Sequence, residues 1–240
     1  AAFILTNRRA DRVVTYGLLR RCGYTGPIHL IVDDLDPTID QYLARYGDEV
    51  IIFDKQAAAD AADEGDNFDD LRTITHARNA TFGIAKDLGL THFVQLDDDY
   101  TTFQHRFDAE HQYDASGRPI KDLDAVFAWL AEFLDVSGAL SVALAQGGDF
   151  LGGSKSTSNA FVQGATLRRK CMNSFMCSVA RPFQFLGRMN EDVNTYVRLG
   201  SVGHLMLTTS SISLVQMTTQ QNAGGLSAMY ADYGTYVKSF

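Results

Sequence analysis

His92-Phe93-Val94-Gln95-Leu96-Asp97-Asp98-Asp99 is the stretch on which the fold turns. An apolar run interrupted only by Gln95 reads as a strand buried in a parallel sheet. Three consecutive carboxylates then close it. They repel one another, so a purely structural role at a strand end is hard to justify without a cation. Alternate residues of an extended chain point the same way, so Asp97 and Asp99 would address one ligand while Asp98 turns inward. Hard cations such as Mg²⁺ and Mn²⁺ take carboxylate oxygens, and Mg²⁺ commonly uses one or two carboxylates plus substrate phosphates. The bland alternative is a solvated turn after an edge strand.

Working back toward the N-terminus, strand and helix signals alternate. Phe3-Ile4-Leu5 is a short apolar run, followed by a helical pattern through Val14, Leu18 and Cys22 that stops at Gly23. Ile28–Val32 is a second strand, ending in Asp33-Asp34. Asp36-Pro37 gives an N-cap and a first-turn proline for a helix through Ile39, Tyr42, Leu43 and Tyr46. Val50–Phe53 is a third strand, and residues 72–88 read as a helix closed by Gly89. Such alternation predicts an α/β fold with right-handed crossovers, in which ligands bind beyond the carboxyl ends of the strands. Those ends are Thr6-Asn7-Arg8, Asp33-Asp34 and Asp97-Asp98-Asp99.

The half that follows is less regular. Residues 100–120 read as a hairpin or long loop turning at Asp114-Ala115-Ser116-Gly117, followed by an amphipathic helix through Val126, Phe127, Leu130, Phe133 and Leu134. Leu140–Ala145, Ala160–Leu167, Phe175–Val179 and Leu205–Met217 are strand candidates. Residues 147–157, with Gly152, Gly153 and Lys155, read as a flexible loop. Asn190 is placed to cap a helix through Arg198 and Leu199.

The chain of 240 residues is 45% hydrophobic and 11% aromatic, enough for the core of one large domain over 1–240. Ordinary Gly and Pro content and 21% charged residues exclude collagen-like, disordered and coiled-coil classes. No long uncharged apolar run suggests a membrane span. The opening Ala-Ala-Phe-Ile-Leu-Thr reads as a strand rather than a signal peptide. Three cysteines without metal-type spacing argue against a disulfide framework or zinc knuckle, so a cytoplasmic location is expected. The net charge of −8 argues against an overall basic coat for nucleic acid, though not against a local basic groove. Residues 54–70 are strongly acidic and read as a solvated loop. Two basic stretches, Arg8 to Arg21 and Arg168-Arg169-Lys170 with Arg181, Arg188 and Arg198, would form an anion pocket if they met. Separately they are ordinary solvated surfaces.

Two further motifs carry chemistry only in company. His76-Ala77-Arg78-Asn79-Ala80 lies on a helix, where Arg78 would meet a diphosphate and Asn79 a ribose or sugar hydroxyl. Alone it is an exposed face. Glu191 and Asp192 begin a helix, and alone they are first-turn residues favoured by the dipole.

The order of these motifs resembles the GT-A glycosyltransferases, especially the inverting family 2 group, over residues 3–216. The resemblance implies a Rossmann-like mixed β-sheet flanked by helices. Paired aspartates at the end of the second strand, matching Asp33 and Asp34, lie at the uracil site in that family. An Ala-Arg-Asn helix borders the donor, matching Ala77, Arg78 and Asn79. The Asp-x-Asp motif binds ribose or sugar through its first Asp and metal through its last, matching Asp97 and Asp99. A Glu-Asp pair supplies the general base, matching Glu191 and Asp192. Family members often carry a metal-binding His at the end of the strand after the base helix. Gln216 stands there in this chain, while His204 sits at that strand's start.

Within this group, the Phe3–Arg9 opening and Gln220-Gln221-Asn222-Ala223-Gly224-Gly225 are similar to the TET-associated glycosyltransferases, encoded largely by phages and proposed to glycosylate hydroxymethylated pyrimidines in DNA. The resemblance implies a UDP-sugar donor, Mn²⁺ or Mg²⁺, and inversion. Thr6, Asn7, Arg8, Asp33, Asp34, Arg78, Asn79, Asp97 and Asp98 would contact the donor. Asp97 and Asp99, with Gln216 or His204, would hold the metal. Arg168, Arg169, Lys170 and Arg188 would meet a DNA acceptor. Residues 1–99 would form the donor half and 100–240 the acceptor half. A protein or small-molecule hydroxyl is the competing acceptor. A nucleotidyltransferase, whose Gly-rich phosphate loop is missing after the first strand, and an inactive sugar-nucleotide-binding module are the competing activities.

Overall fold

The structure, a computed structural model, describes residues 1–66, 70–146, 165–166 and 171–217. Its centre is a mixed sheet in which four parallel strands sit side by side in the order β3 (Val50–Phe53), β2 (Ile28–Asp33), β1 (Ala2–Leu5) and β4 (His92–Asp97). The sheet continues through β9 (Phe175–Ser178), β7 (Ser141–Ala145), β10 (Met206–Gln216), β5 (Tyr100–Phe107) and β6 (Tyr113–Pro119), and a short β8 (Ala165–Thr166) also pairs with β10. β9 runs antiparallel to both β4 and β7 and joins the two halves. This is the Rossmann-like mixed sheet of GT-A type that the motif order implies.

Alternation along the buried strands sorts the core into two layers. Ile4, Leu30, Val32, Val94 and Leu96 face α1 (Val14–Arg21), α2 (Ile39–Tyr46) and α5 (Leu123–Ser137). Phe3, Leu5, Ile31, Phe93 and Phe175 face the other way, against α3 (Lys55–Asp60), α4 (Thr75–Asp87) and α6 (Glu191–Ser201). Burying each such Leu, Ile or Phe contributes roughly 1.5–3 kcal/mol, so both faces of the sheet must stay covered. α5 begins where the Asp122 side chain accepts the Ala125 N–H and ends at left-handed Gly138. Register sets the site: Leu5 lies opposite Ile31 on one side and Asp97 on the other, and Asp33 lies opposite Phe53. The carboxyl ends of four parallel strands are therefore nearly level.

Several local expectations need correction. The acidic stretch is not all loop, because Asp54 caps α3 through the Ala57 N–H at 2.8 Å. The hairpin between β5 and β6 turns at residues 108–112, not 114–117. Asp114 does make the turn-like bonds its sequence suggests, to Ser116 and Gly117, but within β6, beside an irregularity in the β5–β6 register. Asp36 does not cap α2 directly; its carboxylate closes a turn on Thr38 N–H at 2.7 Å, and the helix starts at Ile39. Asn190 precedes α6 in a left-handed conformation, without a side-chain cap bond. The 147–157 loop and the 220–225 segment lie outside the described residues. Among those that are described, no helix is long and apolar enough to cross a membrane.

Candidate active site

The site is organised around a buried cation. Arg78, 1% exposed on α4, donates from Nε to Glu191 Oε1 at 3.0 Å and from an Nη to Asp97 Oδ1 at 3.1 Å. Its guanidinium also lies 4.8 Å from the Phe175 ring centroid and 5.5 Å from that of Phe185. Three motifs separate in sequence thus meet on one side chain. Burial opposes the arginine's charge, but Asp97 and Glu191 outweigh it and hold the guanidinium firmly protonated. Arg78 Nη1 has no hydrogen-bond acceptor among the described residues.

The carboxylates feel the opposite pressure. Burial, only partly offset by Arg78, pushes Asp97 up to about 7. Glu191 rises to about 7 for the same reason, with Asp192 adding repulsion. Burial and the neighbouring Asp98 raise Asp99 to about 6. Asp98 does turn inward: it is 3% exposed, accepts Thr6 Oγ1 at 2.7 Å and is ion-paired to Arg9 at 2.7 Å. Thr6 also shares a 2.8 Å hydrogen bond with Tyr42. Asp98 and Thr6 therefore brace the strand end from below, and Arg9, which no motif singled out, is the cation that makes this burial tolerable.

Asp97 and Asp99 remain as adjacent, reluctant anions at one strand end, the chemistry a hard divalent cation relieves. No group of three or more His, Cys, Asp or Glu side chains among the described residues is arranged to hold a metal. Two carboxylates alone would leave most positions on such an ion to phosphate and water. Gln216 lies beside this end, since it pairs with Tyr100 across β10–β5 and Met217 N–H donates to Asp99 O at 3.1 Å. Its Oε1 already accepts Asn173 Nδ2 at 2.7 Å. His204 precedes the other end of the 11-residue β10. At roughly 3.3 Å per residue, that strand holds it on the order of 30 Å away, too far to share a ligand with Asp99.

At the ends of β1, β2 and β3 a second cluster forms. Asp33 Oδ2 accepts Asn7 Nδ2 at 2.7 Å and lies 3.2 Å from Lys55 Nζ. Asp34 is exposed and accepts the Lys55 backbone N–H at 2.9 Å, so it tethers α3. Arg8 is exposed, with φ of 57° held by its N–H on Asp36 at 2.6 Å. A non-glycine residue rarely adopts that conformation without tertiary support.

Some expected site residues lie elsewhere. Asn79 spends both ends of its amide on the Phe185 backbone, donating to its carbonyl at 3.1 Å and accepting its N–H at 2.7 Å. Its amide therefore braces the segment leading to α6. Arg188 is 2% exposed and ion-paired with Glu64 and Asp66, so it is no surface contact for DNA. Glu64 also bonds His76 at 2.6 Å, and the backbone around it accepts Gly187 N–H at 2.8 Å and Arg188 N–H at 2.9 Å. The acidic segment thus clamps the turn that leads into Glu191 and Asp192. Arg181 bonds Asp135 and the α5 carboxyl end through the Leu134 carbonyl, both at 3.0 Å. Arg168, Arg169 and Lys170 lie outside the described residues.

Residues 1–225 match the sequence model of the TET-associated glycosyltransferases, and the chain belongs to that family. It is accordingly a glycosyltransferase by family. None of the curated protein sequences compared with it matches. Similar solved structures include glucosyl-3-phosphoglycerate synthase from Mycobacterium tuberculosis, in complex with Mn²⁺, UDP and phosphoglyceric acid, at 11% identity and a TM-score of 0.45, covering 90% of this chain and 70% of that one. TarS 1-349 from S. aureus is similar at 10% identity and a TM-score of 0.46, over 89% of this chain and 58% of that one.

Proposed function

We propose that the protein transfers a sugar from a UDP-sugar to the hydroxyl of a 5-hydroxymethylpyrimidine in DNA, with inversion at the anomeric carbon. The observation that carries the reading is the meeting of Asp97 and Glu191 on Arg78. It puts the strand-end carboxylates of a donor site and the helix start of a base within one guanidinium's reach. Family membership supports the acceptor class.

In this reading residues 1–99 hold the donor and 100–240 the acceptor. Asp97 and Asp99 would hold Mn²⁺ or Mg²⁺, with Gln216 as a further ligand; when bound, the ion would supply Lewis-acid neutralisation of the diphosphate. Arg8 adds positive charge toward the same phosphates. Glu191 is committed to Arg78, whereas the Asp192 carboxylate accepts only the neighbouring Val193 N–H, at 2.7 Å, among the described residues. Asp192 is therefore the general base. It takes the acceptor hydroxyl's proton as that oxygen bonds to the anomeric carbon, while the bond from that carbon to the diphosphate breaks and UDP departs. Arg168, Arg169 and Lys170 approach the DNA phosphates, and a base hydroxymethyl group is reached through the major groove or by flipping the nucleotide.

The test is UDP release and mass gain with a UDP-sugar panel and Mn²⁺, on duplexes with and without 5-hydroxymethylcytosine. Transfer only to the modified duplex, lost when Arg168 and Arg169 are reversed to Glu and weakened by salt, is the expected result. Equal labelling of both duplexes, or indifference to the reversal, removes DNA as acceptor and leaves the glycosyltransferase. Nucleotidyl rather than glycosyl addition would overturn the activity itself.

A further inference from the structure

Asp33 is the residue expected to meet the nucleobase, yet its carboxylate is already occupied. It is 5% exposed; Oδ2 receives Asn7 Nδ2 and faces Lys55 Nζ, and Oδ1 accepts the Leu35 N–H at 3.2 Å. A carboxylate so engaged serves better as an anchor than as a reader. Because an ionised carboxylate only accepts, it fixes which end of the Asn7 amide faces it. The amide nitrogen is turned onto Asp33, and Asn7 Oδ1 is directed away, with no donor among the described residues. Lys55, held by the same oxygen and by the tether of its backbone to Asp34, keeps two further N–H groups. The three residues come from the level carboxyl ends of adjacent parallel strands, where α/β sheets bind ligands.

Resting on the donor reading above, we propose that Asn7 and Lys55, not Asp33, read the nucleobase, as an acceptor beside a donor. That pair matches a lactam edge, an N–H next to a C=O. Uracil offers it: N3–H donates to Asn7 Oδ1 and the adjacent carbonyl accepts from Lys55. Cytosine inverts both groups, setting its N3 lone pair against the amide oxygen and its amino group against the ammonium. Groups left unpaired in a partly buried site make such rejection strong. Asp33 is a positioning residue that orients both readers.

Calorimetric titration of the full chain with UDP and with CDP, in Mg²⁺, tests this. UDP should bind roughly tenfold or more tightly than CDP. Lys55→Met and Asn7→Leu should each bring the ratio close to one, chiefly by weakening UDP, with melting temperatures near the parent's. Equal affinities in the parent, or an unchanged ratio in folded Lys55→Met, overturns the base-reading assignment while UDP binding still supports the donor reading. Failure of both nucleotides to bind overturns both. The parent comparison needs no variant, so a misfolded Lys55→Met does not decide the outcome.

Discussion

Arg78 and Glu191, 113 positions apart in sequence, form a buried ion pair at 3.0 Å, and the same guanidinium reaches Asp97. Removing one member of such a set leaves the others buried and uncompensated. Arg78→Met should therefore lower stability by about 3–5 kcal/mol, measured by urea denaturation, and abolish transfer. Stability close to the parent's would mean that the pair is solvated in solution.

Asp99→Asn has the opposite expectation for the protein alone. Asp99 is a reluctant anion, raised to about 6 by burial and by Asp98, so neutralising it should leave the unliganded fold as stable or more so. Divalent-dependent UDP binding should be lost. Calorimetry with UDP and Mn²⁺ checks this, and parent-like binding would remove Asp99 from the metal site.

Asp192→Asn should reduce turnover roughly 100-fold or more with donor affinity near normal. Glu191→Gln should instead cost stability as well as turnover, because Arg78 loses a partner. Single-turnover kinetics beside thermal melts separates the two. A full loss of turnover in Glu191→Gln with Asp192→Asn unaffected would exchange their roles.

The pH dependence follows from the same carboxylates. Asp97 and Glu191 rise to about 7 and Asp99 to about 6, all above their unfolded values near 4. Between those limits the folded state binds more protons than the unfolded one, so stability falls as pH rises through about 4 to 7. Melting temperature in EDTA should decline from pH 5 to pH 8. Added Mn²⁺ should stabilise more at pH 8 than at pH 5, because ligands must be ionised to bind. A melting temperature that rises over this range without metal would contradict the burial of these groups.

Arg188→Met should destabilise by about 3 kcal/mol, since Glu64 and Asp66 would lose their shared cation. Turnover should fall further than donor affinity, because the clamp sets the approach to α6. A change confined to DNA affinity would restore Arg188 to the acceptor surface.

What was legible in the sequence was the parallel half. Each strand there is a short branched or aromatic run ending at its chemistry, so period and composition agree. Asp98 turning inward was legible too, although the strand stops at Asp97 and it is Thr6 and Arg9, not strand alternation, that hold Asp98 in the turn beyond it. The fate of Arg188 and Asn79 was not. Both sit in motif-like surroundings, and only long-range partners, Glu64 and the Phe185 backbone, decide that they are structural. Lys55 carried no motif at all; its importance comes from α3 starting where β3 ends, next to Asp33. The hairpin turn was misplaced because Asp114-Ala115-Ser116-Gly117 has real turn chemistry that β6 absorbs as a local irregularity.

Four residues of β9 stand between β4 and β7, although they follow β7 in the chain by some thirty positions. During synthesis the hydrogen-bonding edge of β4 stays open until Phe175–Ser178 has left the ribosome. The four parallel strands can assemble early from neighbouring segments, but the sheet closes late, across some thirty intervening residues. Nascent chains stalled before residue 175 should be prone to edge-to-edge association, and production should respond more to translation speed in that interval than to changes on the finished surface.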